Sequence, residues 1–163
     1  MSSPSIEIRP ERPDHPQVRE LLRQLDAYLA TLYEPEQNHI LGEQALLTPE
    51  VSFLVAAQAE RIVGCGAVCR RPAELHTGQR PYGEVKRMMV QPGLRGQRIG
   101  AQLLLALEGL LRADGIGQSL LETGATQVDA VRLYERSGYR RRAAFGGYPD
   151  NGLSVFYEKS LQP

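Results

Sequence analysis

Between Glu84 and Ala101 the sequence reads EVKRMMVQPGLRGQRIGA, and its capacity for chemistry is concentrated at the end of that stretch. Gly96 and Gly100 remove Cβ atoms where a helix begins, so several backbone N–H groups can converge on one centre. The helix dipole places partial positive charge at the same point, and Arg95 and Arg98 add two full charges. That combination suits a ligand carrying more than one phosphate. The plainer alternative is a helix start that happens to carry surface arginines. Two better-known phosphate loops are excluded, because the chain contains neither Gly-Lys-Ser/Thr nor Gly-x-Gly-x-x-Gly.

The loop needs a strand before it and a helix after it. Val85 to Val90 is an apolar run of strand length, stopped by Pro92 and Gly93. From Ile99 the leucines at 103, 104, 107, 110 and 111 follow a helical period, which Gly115 and Gly117 end. Ser119 to Glu122 then predicts a second strand beside and parallel to the first. Thr126-Gln127-Val128-Asp129 has the form of a capping box, with Thr126 as N-cap of a helix that stops at Gly138. Upstream, Ile6 to Arg9 predicts a strand, and Leu21, Leu22, Leu25, Leu29 and Leu32 mark a helix with Asp14 as N-cap and Pro35 as its limit. A shorter helix is expected over Asn38 to Leu47. The polar link from Tyr33 to His39 is either a substrate loop or a solvated connection. Val51 to Ala57 and Ile62 to Arg70 predict a hairpin, in which Gly64 and Gly66 signal a bulge or a close approach. Tyr139 to Phe145 and Leu153 to Glu158 predict a last antiparallel pair around residues 146–152.

With 163 residues the chain suits one domain, residues 1–163. Its formal net charge is zero, so no basic field draws nucleic acid or an anionic membrane. Positive charge is local instead, at Arg95 and Arg98 and at Arg140 to Arg142. No apolar run has the length of a membrane helix and the N-terminus carries no hydrophobic targeting core, so a cytoplasmic protein is expected. Cys65 and Cys69 lack companions for a metal site and read as buried thiols.

A second motif lies downstream. Ala130-Val131-Arg132-Leu133-Tyr134-Glu135-Arg136-Ser137-Gly138-Tyr139 resembles the GNAT N-acetyltransferase signature Ala-x-x-Leu-Tyr-Glu-x-x-Gly-Phe/Tyr. Arg95-Gly96-Gln97-Arg98-Ile99-Gly100 resembles that superfamily's acyl-CoA loop, Gln/Arg-x-x-Gly-x-Gly/Ala, with Arg98 standing where the family usually has Gly. Gln127 stands where the family often has Asn. The resemblance implies an α+β GNAT fold: a mixed, mostly antiparallel twisted sheet of about six or seven strands flanked by about four helices. It also implies acetyl-CoA as acetyl donor, its amide arm lying where the strand of residues 84–90 parts from that of 119–122. The backbone of Met88, Met89 and Val90 would bond that arm. Arg95, Gly96, Gln97, Arg98, Ile99, Gly100 and Ala101 would take the phosphates, and Gln127 would make a further contact.

The implied reaction is direct attack of an amine on the thioester in a ternary complex. An amine with pKa near ~10 must first lose a proton, and the departing thiolate must gain one. By the resemblance Glu84 occupies the position of a base acting through water, and Tyr134 that of the thiolate's proton donor. A strand-end glutamate facing solvent and a core tyrosine are the alternatives. Tyr33, Glu36, Tyr148 and Asp150 are candidate acceptor contacts. The expected acceptor is a small-molecule amine, with no nucleic acid, membrane or metal involved and a homodimer left open. A protein or peptide acetyltransferase and a non-catalytic acyl-CoA-binding module are the competing functions, since fold analogy gives the reaction class and not the acceptor.

Overall fold

The computed structural model of the chain describes residues 4–94 and 97–162. Seven strands form one mixed sheet in the order β1-β2-β3-β4-β5-β7-β6. They are β1 (Ile6–Pro10), β2 (Val51–Gln58), β3 (Arg61–Arg71), β4 (Tyr82–Val90), β5 (Gln118–Gly124), β6 (Arg140–Arg142) and β7 (Ser154–Ser160). The α-helices among the described residues are α1 (Pro16–Leu32), α2 (Glu43–Leu46), α3 (Ile99–Ala113) and α4 (Val128–Arg136). None of them is long and apolar enough to cross a membrane.

The chain divides into two compact units, residues 1–67 with 86–107 and residues 68–85 with 108–163. In the first, β1 pairs antiparallel with β2 from Ile6↔Gln58 to Pro10↔Leu54. The leucine face of α1 packs with Leu46, Phe53 and Val55 into one core, as its spacing requires. Gly64 and Gly66 mark close approaches. A Cβ on Gly64 would lie 3.2 Å from Met89 O and 3.3 Å from Leu103 Cδ1, and one on Gly66 would overlap Met88 Sδ.

In the second unit, β4 and β5 run parallel, with Gly83 opposite Ser119 and Glu84 opposite Leu120. On its other side β5 pairs antiparallel with β7 from Gln118↔Ser160 to Gly124↔Ser154. Tyr82, Leu120, Phe145 and Phe156 form a core here, with Phe145 edge-on to Tyr82 at 5.5 Å and to Phe156 at 5.8 Å.

Three local expectations are corrected. The N-cap of α1 is His15, whose Nδ1 accepts from Gln17 N at 3.1 Å. Asp14 is instead held by both nitrogens of the Arg12 fork at 3.0 and 2.9 Å. The expected helix over 38–47 reduces to α2, preceded by a 3₁₀ turn at Pro35–Gln37. Asn38 leaves that turn in an extended conformation, and Gly42 caps the four residues that reach the core at Leu46. The N-cap of α4 is Gln127, without a side-chain cap bond. A turn closed by Gln127 N to Gly124 O, 3.0 Å, delays the helix by one residue and takes Thr126 out of the capping position. At the other end Gly138 adopts φ 92°. The bonds Tyr139 N to Tyr134 O (3.0 Å) and Gly138 N to Glu135 O (3.2 Å) complete a Schellman stop.

Candidate active site

In the first unit the groups of interest are backbone groups. The first turn of α3 is closed by Gln102 N bonding to Arg98 O at 3.0 Å. The N–H groups of Ile99, Gly100 and Ala101 therefore precede the first helical bond and point out of the helix start. Ile99 and Gly100 are buried, whereas the side chains of Gln97 and Arg98 are exposed. This arrangement fits an anion held by backbone donors with a guanidinium alongside. Arg95 and Gly96 lie outside the described residues. Arg98 has φ 63°, the left-handed region that glycine enters without cost. The departure of this sequence from the family loop thus falls at the position where the backbone favours Gly.

Met89 is buried, and Met88 and Val90 are half-buried at the end of β4. Just before them Arg87 also has a left-handed φ, 59°, which breaks the regular pleat. Its guanidinium is buried, with Nη1 2.7 Å from Asp26 Oδ1 of α1. That contact is an ion pair by distance, but its direction is poor for hydrogen bonding, and Nε and Nη1 lack bonded acceptors among the described residues. Tyr33 caps the C-terminus of α1 through its N–H to Leu29 O, 3.0 Å. Glu36 is exposed on the 3₁₀ turn.

The second unit holds Glu84, Tyr134 and Tyr148. Glu84 is 2 % exposed, which rules out a glutamate facing solvent. Its Oε1 accepts from Arg71 Nε at 3.1 Å and its Oε2 from the Tyr148 hydroxyl. Two candidates named from the sequence, Glu84 and Tyr148, are therefore brought into contact. Burial first, and then the Glu84 charge, push the Tyr148 hydroxyl well above its ordinary pKa. Glu74 anchors the loop that carries Tyr148 by accepting from Gly146 N at 2.8 Å. Asp150, in the same loop, is exposed.

Tyr134 is buried on α4, with its ring edge-on to Tyr139 at 6.0 Å. Its hydroxyl makes no hydrogen bond to another described residue. Burial, with a smaller effect of the Glu122 carboxylate, raises its pKa, so the phenol keeps its proton. Tyr139 is fixed in turn, donating to Glu108 Oε2 at 3.0 Å and lying 2.7 Å from Ser119 Oγ. The buried Glu108 is balanced by Lys159 at 2.8 Å. Gln127 is half-buried at the start of α4. Arg71 was not visible from the sequence: it is one of two arginines at the end of a strand, with no motif around it. Only the fold brings it to Glu84.

The acetyltransferase (GNAT) family model matches residues 16–139. The chain belongs to the GNAT acetyltransferase family. It is 43% identical over 158 residues to an IAA acetyltransferase from Azospirillum brasilense, covering 97% of this chain and 99% of that one. A crystal structure of a Klebsiella pneumoniae protein assigned to the acyl-CoA N-acyltransferases shares 34% identity, with TM-score 0.78 over 96% of this chain and 98% of the other. The PaiA N-acetyltransferase of Thermoplasma acidophilum, solved with coenzyme A, shares the fold at 20% identity, with TM-score 0.72 over 96% and 99%. This GNAT protein is therefore an acyltransferase, and its seven-stranded mixed sheet is that of its structural neighbours. The family uses acetyl-CoA.

Proposed function

We propose that this GNAT protein, as a single domain, moves an acetyl group from acetyl-CoA to the amine of a small molecule, by direct attack in a ternary complex. The observation that carries this reading is a pair of buried groups of opposite proton character in the second unit. Glu84 is a carboxylate held by two donors, and Tyr134 is a phenol whose environment keeps it protonated. One can receive a proton and the other can supply one.

Acetyl-CoA supplies the acetyl group as an activated thioester. The residues of the chain do the rest. Backbone groups of Met88, Met89 and Val90 hold the amide-bearing arm, since a strand edge offers N–H and C=O groups at matching intervals. The backbone at Gln97, Arg98, Ile99, Gly100 and Ala101 holds the phosphates, a role proposed also for Arg95 and Gly96, which lie outside the described residues. Gln127 adds a contact from the start of α4. Glu84 takes the ammonium proton, directly or through water, so that the nitrogen lone pair can form the new C–N bond. As the C–S bond breaks, the Tyr134 hydroxyl gives its proton to the sulfur. Small-molecule acetylation follows the relative at 43% identity, named for IAA. Tyr33, Glu36, Tyr148 and Asp150 are the proposed acceptor contacts. The place of action is proposed to be the cytoplasm.

Measured pH–rate profiles of Glu84→Gln and Tyr134→Phe test the assignment. Glu84→Gln should lower kcat/KM by roughly 10²–10⁴-fold at pH 7 and recover in part at higher pH, where free amine is available. Tyr134→Phe should lower turnover without such recovery, and acetyl-CoA affinity should hold in both. Unchanged rates in either variant would remove that residue from the mechanism. Thiol release with no amine above hydrolysis background would remove the transferase reading.

A further inference from the structure

The proposed chemistry gives Glu84 a task and leaves Arg71 without one. Of the Arg71 guanidinium only Nε is engaged, at 3.1 Å from Glu84 Oε1, and Nη1 and Nη2 make no hydrogen bond to any described residue. The Arg71 side chain is 36% exposed and that of Glu84 3%. The inner edge of the guanidinium is thus turned to a buried carboxylate, and the terminal nitrogens are left for something else.

Three arginines of the chain meet a carboxylate with two nitrogens, whereas others, such as Arg9 on Glu7, use one. Arg12 meets Asp14 with Nε and Nη2 at 3.0 and 2.9 Å. Arg19 meets Glu43 in the same way at 2.7 and 3.2 Å, and Arg23 meets Glu20 at 2.9 and 2.7 Å. Each of these pairs uses both carboxylate oxygens, the geometry that a planar fork and a planar carboxylate prefer. At Glu84 the carboxylate is shared instead: Arg71 Nε meets Oε1 and the Tyr148 hydroxyl meets Oε2. Tyr148 is itself fixed in an aromatic setting, 5.6 Å from the Phe145 ring and 6.1 Å from that of Phe156. The carboxylate is shared, and half of the arginine fork is held in place unspent. Donors fixed in advance lose little entropy on binding.

We propose that Arg71 is a specificity residue of this acetyltransferase: its terminal nitrogens hold a carboxylate or phosphonate on the acceptor, which is therefore an amine that also carries an anion. The inference rests on the acetyl-transfer reading above and names the acceptor class within it. Glu84 faces the amine end of such a molecule and Arg71 its acid end, so the two partners of one internal ion pair serve the two ends of a zwitterion.

The test uses matched acceptors that differ only in the anion: β-alanine against β-alaninamide, and 2-aminoethylphosphonate against its diethyl ester. The wild type should favour the charged member of at least one pair by roughly tenfold to a hundredfold in kcat/KM, the ratio expected of a charge-assisted hydrogen-bonded contact. The pair that shows the ratio tells carboxylate from phosphonate. In Arg71→Gln the ratio should fall to within about threefold, while a merely structural fault would slow both members alike and leave it intact. Arg71→Lys keeps the charge but not the fork; it should retain part of the preference, and it serves if Arg71→Gln does not fold. A wild-type ratio near one in both pairs, or a ratio unchanged by both substitutions, overturns the proposal. Calorimetric titration of methylphosphonate and of acetate into the protein saturated with CoA separates this from a failure of the transferase reading. Binding weakened about tenfold or more in Arg71→Gln supports the anion site even if no amine is acetylated. Equal binding in both proteins places the anion elsewhere.

Discussion

Replacing Arg98 by glycine should stabilise the protein and leave acetyl-CoA binding almost unchanged. The residue has φ 63° at the N-terminal boundary of α3, with its carbonyl accepting from Gln102 N. A side chain in that region costs about 1–2 kcal/mol, through the contact of Cβ with the neighbouring carbonyl. Glycine removes the cost, but its wider freedom in the unfolded chain returns about 0.5–1 kcal/mol. The Arg98 side chain is exposed, so little packing is lost with it. The net gain is about 0.5–1 kcal/mol, which for a chain of this size raises Tm by roughly 1–4 °C. Thermal melts and urea titrations of the ligand-free protein measure it, with unchanged m-values showing that stability alone has moved. An exposed ion pair is worth about 1 kcal/mol or less, so the acetyl-CoA Kd should change by no more than about fivefold. A lower Tm would mean that the left-handed turn carries no cost for arginine or that the side chain holds the loop. A loss of affinity of a hundredfold or more would place the guanidinium on a phosphate.

Other sites yield expectations of different kinds. Gly83→Ala would drive a Cβ into the Leu111 side chain, whose Cγ would lie at 2.9 Å. Overpacking of this sort costs about 1–3 kcal/mol, and an unchanged urea midpoint would show that α3 yields freely. Tyr139→Phe removes the hydroxyl between Ser119 and Glu108 and should cost about 1–3 kcal/mol in equilibrium unfolding; a neutral result would mean that water replaces it. The pKa of Tyr134 is raised, so its protonated, donating form persists above the ordinary phenol pKa of ~10. Turnover should therefore show no falling limb below about pH 10 that Tyr134→Phe abolishes. Such a limb near pH 8 would contradict the burial argument.

What the sequence made legible was what repeats at short range. The leucine period of α3, the glycine stops and the short apolar runs of the strands specified the elements and their parallel β4–β5 neighbours, because each signal lies within a few residues of its effect. Cap residues were misplaced where a competing partner was at hand. Asp14 had Arg12 two residues away, and the turn closed by Gly124 shifted the start of α4 past Thr126. The second helix failed for a related reason: between Asn38 and Leu47 little beyond Leu41 and Leu46 has a core to reach, and helical propensity alone does not hold so short a segment.

The candidate site divides along the same line. An acyl donor with a phosphate tail and an amide arm can be held by backbone groups, whose placement is set by glycines, helix starts and strand ends, and these are written in consecutive residues. An acceptor must be chosen by side chains, and Arg71, Glu84 and Tyr148 meet only through pairings that span 13 and 64 positions of the chain. Nothing local marks Arg71 as different from Arg70, which instead pairs with the half-exposed Asp114. What distinguishes Arg71 is that its carboxylate partner is buried and already shared with a tyrosine, so half of its fork stays unspent. That property belongs to a contact between three elements, and it is where specificity can vary while the donor side of the fold remains as it is.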